Sequence, residues 1–305
     1  MTAVSLTPAG PFALASSMRF LEGFTPAGYD HADDAILRLA FPADNGVSVI
    51  GAAVRQAAVG QAVHADFTVR GPAVESEVVT AQIARILSLD VDGTGFPALA
   101  SGDPVVASLQ ADYPGLRPVC FYSPYEAAAW TIIGNRIRMT QAAAIKASLA
   151  REHGEAVDVA GQTEHAFPAP GVLRDLHRVP GLTDIKVERL NALADAALDG
   201  KLDAATLRSL PVDQALAALR ELPGIGPFSA ELILIRGAGY PDVFPRNEPR
   251  VHQAIATEYG LAGTDDIDQL AAIAERWRPY RSWVALLLRA RASESPRGKP
   301  AKARR

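Results

Sequence analysis

The run Leu222-Pro-Gly-Ile-Gly-Pro-Phe-Ser-Ala230 separates two stretches with helical apolar spacing. Proline lacks an amide hydrogen and disfavours helical angles in the residue before it, so no regular helix can pass through this segment. Glycines at 224 and 226 allow a tight reversal and place no side chain over their amides. The run therefore predicts a sharp turn between a helix ending near Leu219 and one beginning near Pro227. Such a turn is either a plain connection between two helices or a phosphate site. In the second case the amides of Gly224, Gly226 and the following helix start are offered to the anion.

Periodicity divides the rest of the chain. In His64–Arg70, Ala65, Phe67 and Val69 alternate with polar neighbours, the period of a strand with one buried face. Ile36–Phe41 and Val47–Val54 read the same way around the turn signal Asp44-Asn45-Gly46 and predict neighbouring antiparallel strands. Val78, Val79, Ile83, Ile86 and Leu87 then take helical spacing, predicting a helix against that sheet. Beyond Pro124 the pattern is helical throughout. It predicts a pair within Tyr125–Arg151 around Gly134, then Asp184–Leu198, Leu207–Leu219, Pro227–Arg236, Pro249–Tyr259, Ile267–Trp277 and Ser282–Ala292. The expected fold class is α+β, an N-terminal antiparallel sheet domain over 1–115 followed by an all-helical domain over 116–292. A seam is expected near Tyr113–Pro118 and a basic, flexible tail over 293–305.

Composition narrows the class. Hydrophobic residues at 49% and charged residues at 21% are the balance of a globular chain. The single cysteine, Cys120, excludes an intrachain disulfide, a four-cysteine zinc site and a cysteine-ligated iron–sulfur cluster. No apolar run approaches the roughly 20 residues of a membrane span, and the start lacks a signal-peptide pattern; a cytoplasmic protein with no membrane partner is expected. The net charge of −4 is unevenly spread, because Ala271–Arg305 holds ten basic residues against Glu275 and Glu294. That end is either a solvated tail or a cationic footprint for a polyanion.

Together with Arg236–Pro245 and Ala274–Trp283, the hairpin resembles the helix-hairpin-helix glycosylase superfamily, specifically the DNA-3-methyladenine glycosylase II family. Ser123–Ala127, Ile133-Gly134 and Phe167–Pro170 extend the resemblance upstream. The resemblance implies that the N-terminal strands form a small TATA-binding-protein-like domain. It implies a monomeric partner of double-stranded DNA containing damaged bases, nucleoid-associated in a bacterium. The implied activity is flipping of an alkylated purine and hydrolysis of its N-glycosidic bond in base-excision repair. Positive charge develops on the sugar in that reaction, so a fixed carboxylate is the essential group. No cofactor and no firm metal site are implied; a monovalent cation at the hairpin is left open.

The family places two successive aspartates beyond its Val-Phe-Pro element, the second catalytic, where this chain has Asn247-Glu248. Glu248 keeps the charge with an added methylene, about 1.5 Å of displacement in a reaction built on positioning. Pro249 sets Glu248 at a helix start, as either the working carboxylate or a simple cap. The implied substrate pocket holds Asn247, Phe228, Leu232 and Arg289. These last three stand where the family often has a larger aromatic, often tyrosine, and can have tryptophan. An aromatic cage attracts a cationic base and an arginine opposes one; Arg289 could instead neutralise Glu248 or contact phosphate. The hairpin lacks the lysine of strand-cleaving relatives, so no Schiff base is expected and the activity is monofunctional. Implied DNA contacts are Leu222, Gly224, Gly226 and Ser229 at the hairpin, with Asn135 or Arg136 filling the gap left by the extruded base and Arg138 on phosphate. On the residues alone, Gly134–Arg138 is equally a solvated helix turn. The alternative function is a catalytically weak or inactive binder of damaged or distorted DNA, and a third reading has the hairpin binding a protein partner.

Overall fold

The computed structural model describes residues 1–24, 35–262 and 266–294. Strand β1 (Thr2–Leu6) and helix α1 (Leu14–Gly23) open the chain, followed by β2 (Leu37–Pro42), β3 (Val49–Gln56), β4 (Val63–Arg70) and helix α2 (Ser76–Ile86). The strands form one antiparallel sheet in the order β1–β4–β3–β2. As expected, an N-terminal antiparallel sheet precedes a mainly helical remainder.

Period two decides what each face of the sheet meets. Leu37, Leu39 and Phe41 join Met18 of α1 and Val79 and Ile83 of α2 in one core. Residues of the opposite parity, Ala40 and Ala53, meet Val157 and Val159. Those valines belong to a hairpin of β5 (Ala156–Val159) and β6 (Gln162–His165), contributed by the second half of the chain. The approach is so close that a Cβ on Gly51 would lie 2.4 Å from Val157 Cγ1. As a result β2 is buried along its whole length, where alternation predicted one exposed face. Val78, expected on the buried side of α2, points to solvent, one residue off the stripe formed by Val79, Ile83 and Ile86.

The remaining helices are α3 (Pro104–Asp112), α4 (Pro124–Gly134), α5 (Met139–His153), α6 (Pro170–Leu173), α7 (Asp184–Leu198), α8 (Ala204–Ser209), α9 (Val212–Arg220), α10 (Pro227–Leu232), α11 (Pro249–Glu258), α12 (Ile267–Ala274) and α13 (Arg281–Glu294). A π-helical turn over Ile233–Gly237 extends α10. The single helix expected over Leu207–Leu219 is split into α8 and α9, because Leu210, ahead of Pro211, is extended at ψ 150. Two helical cores result. One gathers α4, α5, α7, α9 and α10 around Trp130, Leu190, Leu219 and Ile233. The other gathers α3 and α11–α13 around Leu109, Ile255, Trp277 and Trp283. Among the described residues, no helix is long and apolar enough to cross a membrane. Residues 295–305 of the expected basic tail lie outside the described residues.

Buried arginines tie the sheet to the helices. Arg85 on α2 bridges both Asp44 carboxylate oxygens at 2.8 Å and donates to Gly237 O at 2.9 Å. Arg117 donates to the carbonyls of Ala9, Pro11, Ser88 and Val91 and lies 5.0 Å from the Trp283 ring centroid. Arg117→Ala strands these acceptors at roughly 1–3 kcal/mol for each one left buried and unpaired. Urea unfolding is expected to show a loss of about 3 kcal/mol or more, and a loss below about 1 kcal/mol would contradict this role.

Candidate functional site

The hairpin forms between α9 and α10. Gly224 sits at φ +87, the left-handed region that glycine enters without penalty. Ile225 donates its amide to Leu222 O at 3.1 Å, and both side chains turn into the core. Among the described residues the amides of Gly224 and Gly226 have no hydrogen-bond partner, and no side chain caps α10. Both glycines line a groove shared with Leu222, Asn135, Arg136, Lys186 and Arg189. Free amides beside Arg136, Lys186, Arg189 and Arg220, with Glu221 the one acid among the lining residues, make a surface that suits a phosphate backbone.

The loop after α4 connects this groove to a deeper cleft. Lys186 on α7 donates its Nζ to Ile133 O at 2.8 Å and Asn135 O at 2.7 Å, satisfying carbonyls at the end of α4. Arg136 follows at φ +56. Asn135 lines both the groove and the cleft, whereas Arg136 lines the groove alone. Arg138 is exposed ahead of α5 and lines neither.

The cleft opens between the two helical cores, with a volume of about 570 Å³, within the range of roughly 300–1,000 Å³ usual for small-molecule pockets. Glu248, Phe228, Leu232 and Arg289 all line it. Glu248 is the N-cap of α11 at φ −108, ψ 91, and its Oε1 accepts from the Arg250 amide at 3.1 Å. Among the described residues Oε2 has no hydrogen-bond or ion-pair partner, so capping leaves one oxygen of the carboxylate available. Phe228 is 42% exposed, a large ring presented to the opening.

What fixes Glu248 was not anticipated. Glu231 on α10 is 5% exposed and takes hydrogen bonds from the Arg246 amide at 3.1 Å, the Asn247 amide at 2.9 Å and Asn247 Nδ2 at 2.8 Å. Burial pushes the Glu231 carboxyl up from its ordinary range, and the bonds from Asn247 and Arg246 pull it back. From the other side, His252 Nε2 bonds to Pro245 O at 2.8 Å, with its ring stacked on Phe244. The turn 244–248 is thus held from α10 and from α11. Asn247, expected in the pocket, is a ligand of Glu231 and does not line the cleft. Ser229, expected at the hairpin, lines the cleft.

Sequence reasoning also missed the aromatic wall formed by Phe20, Phe24, Phe121 and Trp130. Phe20 and Phe24 stack at 5.4 Å, and Phe24 meets Phe121 edge-on at 5.9 Å. They come from α1, the segment just after it and the start of the helical half, and only tertiary packing unites them.

The helix–turn–helix with free glycine amides, a cleft beside it and a carboxylate at the adjoining helix start together define a helix-hairpin-helix glycosylase fold. A 3-methyladenine DNA-glycosylase structure from Archaeoglobus fulgidus superposes with a TM-score of 0.74 at 21% identity, covering 95% of this chain and 97% of that one. A structure of MBOgg1 in complex with a low affinity DNA ligand gives 0.65 at 17% identity, covering 96% of each chain. No family model matches the chain. Curated relatives include DNA-3-methyladenine glycosylase 2 of Escherichia coli, 29% identical over 212 residues, 68% of this chain and 69% of that protein. DNA-3-methyladenine glycosylase of Bacillus subtilis is 24% identical over 220 residues, 70% of this chain and 71% of that protein. A probable bifunctional transcriptional activator/DNA repair enzyme AlkA of Mycobacterium tuberculosis is 29% identical over 215 residues, 67% of this chain but only 41% of that longer protein. The chain is thus similar in sequence to DNA-3-methyladenine glycosylases and shares the helix-hairpin-helix glycosylase fold.

The two hairpin glycines predict different outcomes on substitution. A Cβ at Gly226 meets nothing within 4 Å, whereas one at Gly224 would lie 2.7 Å from Arg189 Cδ on a left-handed backbone. Gly226→Val is expected to keep the thermal midpoint within a few degrees while weakening duplex binding about equally for every sequence and lesion, since backbone positioning is lost. Gly224→Val is expected to lower stability as well. A Gly226→Val protein with full affinity, measured by fluorescence anisotropy, would remove the hairpin from the interface.

Proposed function

We propose that the chain is a monofunctional DNA glycosylase that flips an alkylated purine into the cleft and hydrolyses its N-glycosidic bond, with Glu248 as the carboxylate that stabilises the sugar cation. The observation carrying this reading is Glu248 itself: held at the start of α11 by its clamped turn, it lines a cleft of base size with one carboxylate oxygen uncommitted. Preorganised charge of this kind lowers the barrier because it need not reorient as the cation forms. Phe228 and the aromatic wall offer faces for stacking the extruded base. The hairpin groove, with Arg136, Lys186 and Arg189, tracks the backbone, and Asn135, between groove and cleft, fills the gap beside the flipped nucleotide. The protein acts as a monomer on cytoplasmic, nucleoid DNA in a bacterium.

Glu248→Gln tests this, because a glutamine oxygen can still cap α11 and the fold is kept. Base release from alkylated duplex is expected to fall at least about a hundredfold with duplex affinity unchanged. That affinity should drop steeply between low and high salt, as counterions are released from neutralised phosphates. Unchanged release in the variant would exclude Glu248 as the working carboxylate. Absence of release in the wild type, with duplex binding intact, would leave a damaged-DNA binder.

A further inference from the structure

We propose that the cleft selects electrically neutral alkylated purines with hydrogen-bond acceptors on the base edge, and disfavours ring-alkylated cationic ones, through the guanidinium of Arg289. This rests on the glycosylase reading and narrows its substrate class. The face of α13 formed by Ser282, Ala285, Leu286, Arg289 and Ser293 lines the cleft, with Arg289 near its middle. Among the described residues, the other arginines of this region are committed to ion pairs: Arg276 to Asp103, Arg278 and Arg281 to Asp242 and Glu275, and Arg291 to Asp112 and Glu258. Arg289 donates only to Ser293 Oγ, and no described carboxylate lies within ion-pair distance of it. Burial and the neighbouring Arg250 pull its pKa below the usual guanidinium range, with Glu248 opposing through space.

Half of the aromatic wall does little to offset this positive charge, because Phe20 and Phe24 already serve an internal cation, leaving Phe121, Trp130 and Phe228 for stacking. Arg236, in the same cleft, lies 4.6 Å from the Phe24 centroid and 5.3 Å from that of Phe20, while its Nε donates to Val119 O at 3.2 Å. Those ring faces would otherwise attract a charged base. A cationic purine entering here would meet Arg19, Arg236, Arg250 and Arg289 against three carboxylates. Of these, Glu231 is held by Arg246 and Asn247 and Glu294 by the Tyr113 hydroxyl, leaving Glu248 to face the sugar. A neutral purine would meet donors whose fork geometry matches acceptors on its edge. The same contact assists departure. As the C1′–N9 bond breaks, its electron pair moves onto the base, where the Arg289 donors stabilise the charge. Water adds to C1′, Glu248 accepts the water proton, and the released base takes a proton from solvent.

The test uses duplexes carrying a single 1,N6-ethenoadenine, which is neutral, or a single N7-methylguanine, which is cationic. Single-turnover release is divided by each base's spontaneous loss. The wild type is expected to show the larger enhancement for ethenoadenine. Arg289→Leu is expected to cut that enhancement at least about tenfold and to raise the one for N7-methylguanine. A larger wild-type enhancement for N7-methylguanine, or an equal loss for both bases in the variant, would overturn the selection and leave the glycosylase reading standing. Release of neither base by the wild type would overturn both.

Discussion

The Glu231 carboxylate, buried in α10, takes hydrogen bonds from two consecutive residues of a loop fifteen positions further along the chain. A buried carboxylate without such partners would be costly, and a loop without such an anchor would wander. Each satisfies the other, and the next residue is Glu248. These bonds tie α10 to the start of α11, so the spacing between the free amides of Gly224 and Gly226 and the carboxylate at 248 is set inside the protein. The Glu248 side chain keeps one oxygen on the Arg250 amide, which limits the freedom of the other.

The sheet half contributes to the site through packing. Its inner core positions α1, whose Phe20 stacks on Phe24 beside the cleft, and Arg236 reaches from the helical half across both rings. Burial pulls the Arg236 pKa down to about 10, still charged at neutral pH, so a permanent cation stands behind the aromatic wall. Arg85 and Arg117 hold the two halves in register from below. The cleft is thus built by three cores, and the arginines at their borders give it its electrostatic character.

Much of the fold was legible in the sequence because its signals are local. The Pro-Gly-Ile-Gly-Pro run dictates its own turn, alternation in His64–Arg70 reports one covered face, and Pro249 places Glu248 at a helix start. What escaped was set by distant partners. The β5–β6 hairpin consists of strands of four residues and finds its place only on the outer face of β2 and β3. Glu231 reads as an ordinary helical glutamate until Arg246 and Asn247 are brought to it. Lys186 lies in an amphipathic helix whose pattern gives no hint that it caps α4. Asn247 sits next to the carboxylate in sequence and so suggested a pocket role, but neighbouring residues at an extended turn point in different directions.

On the proposed glycosylase reading Glu248 presents charge to a sugar cation, and affinity for a mimic of that cation tests this role most directly. Duplexes carrying either a pyrrolidine abasic analogue, cationic where the sugar develops charge, or the neutral tetrahydrofuran analogue differ in little but that charge. Fluorescence anisotropy should show the wild-type protein binding the pyrrolidine duplex at least about tenfold more tightly than the tetrahydrofuran duplex, with the preference erased by Glu248→Gln. Equal affinity of the wild type for the two duplexes would contradict the account.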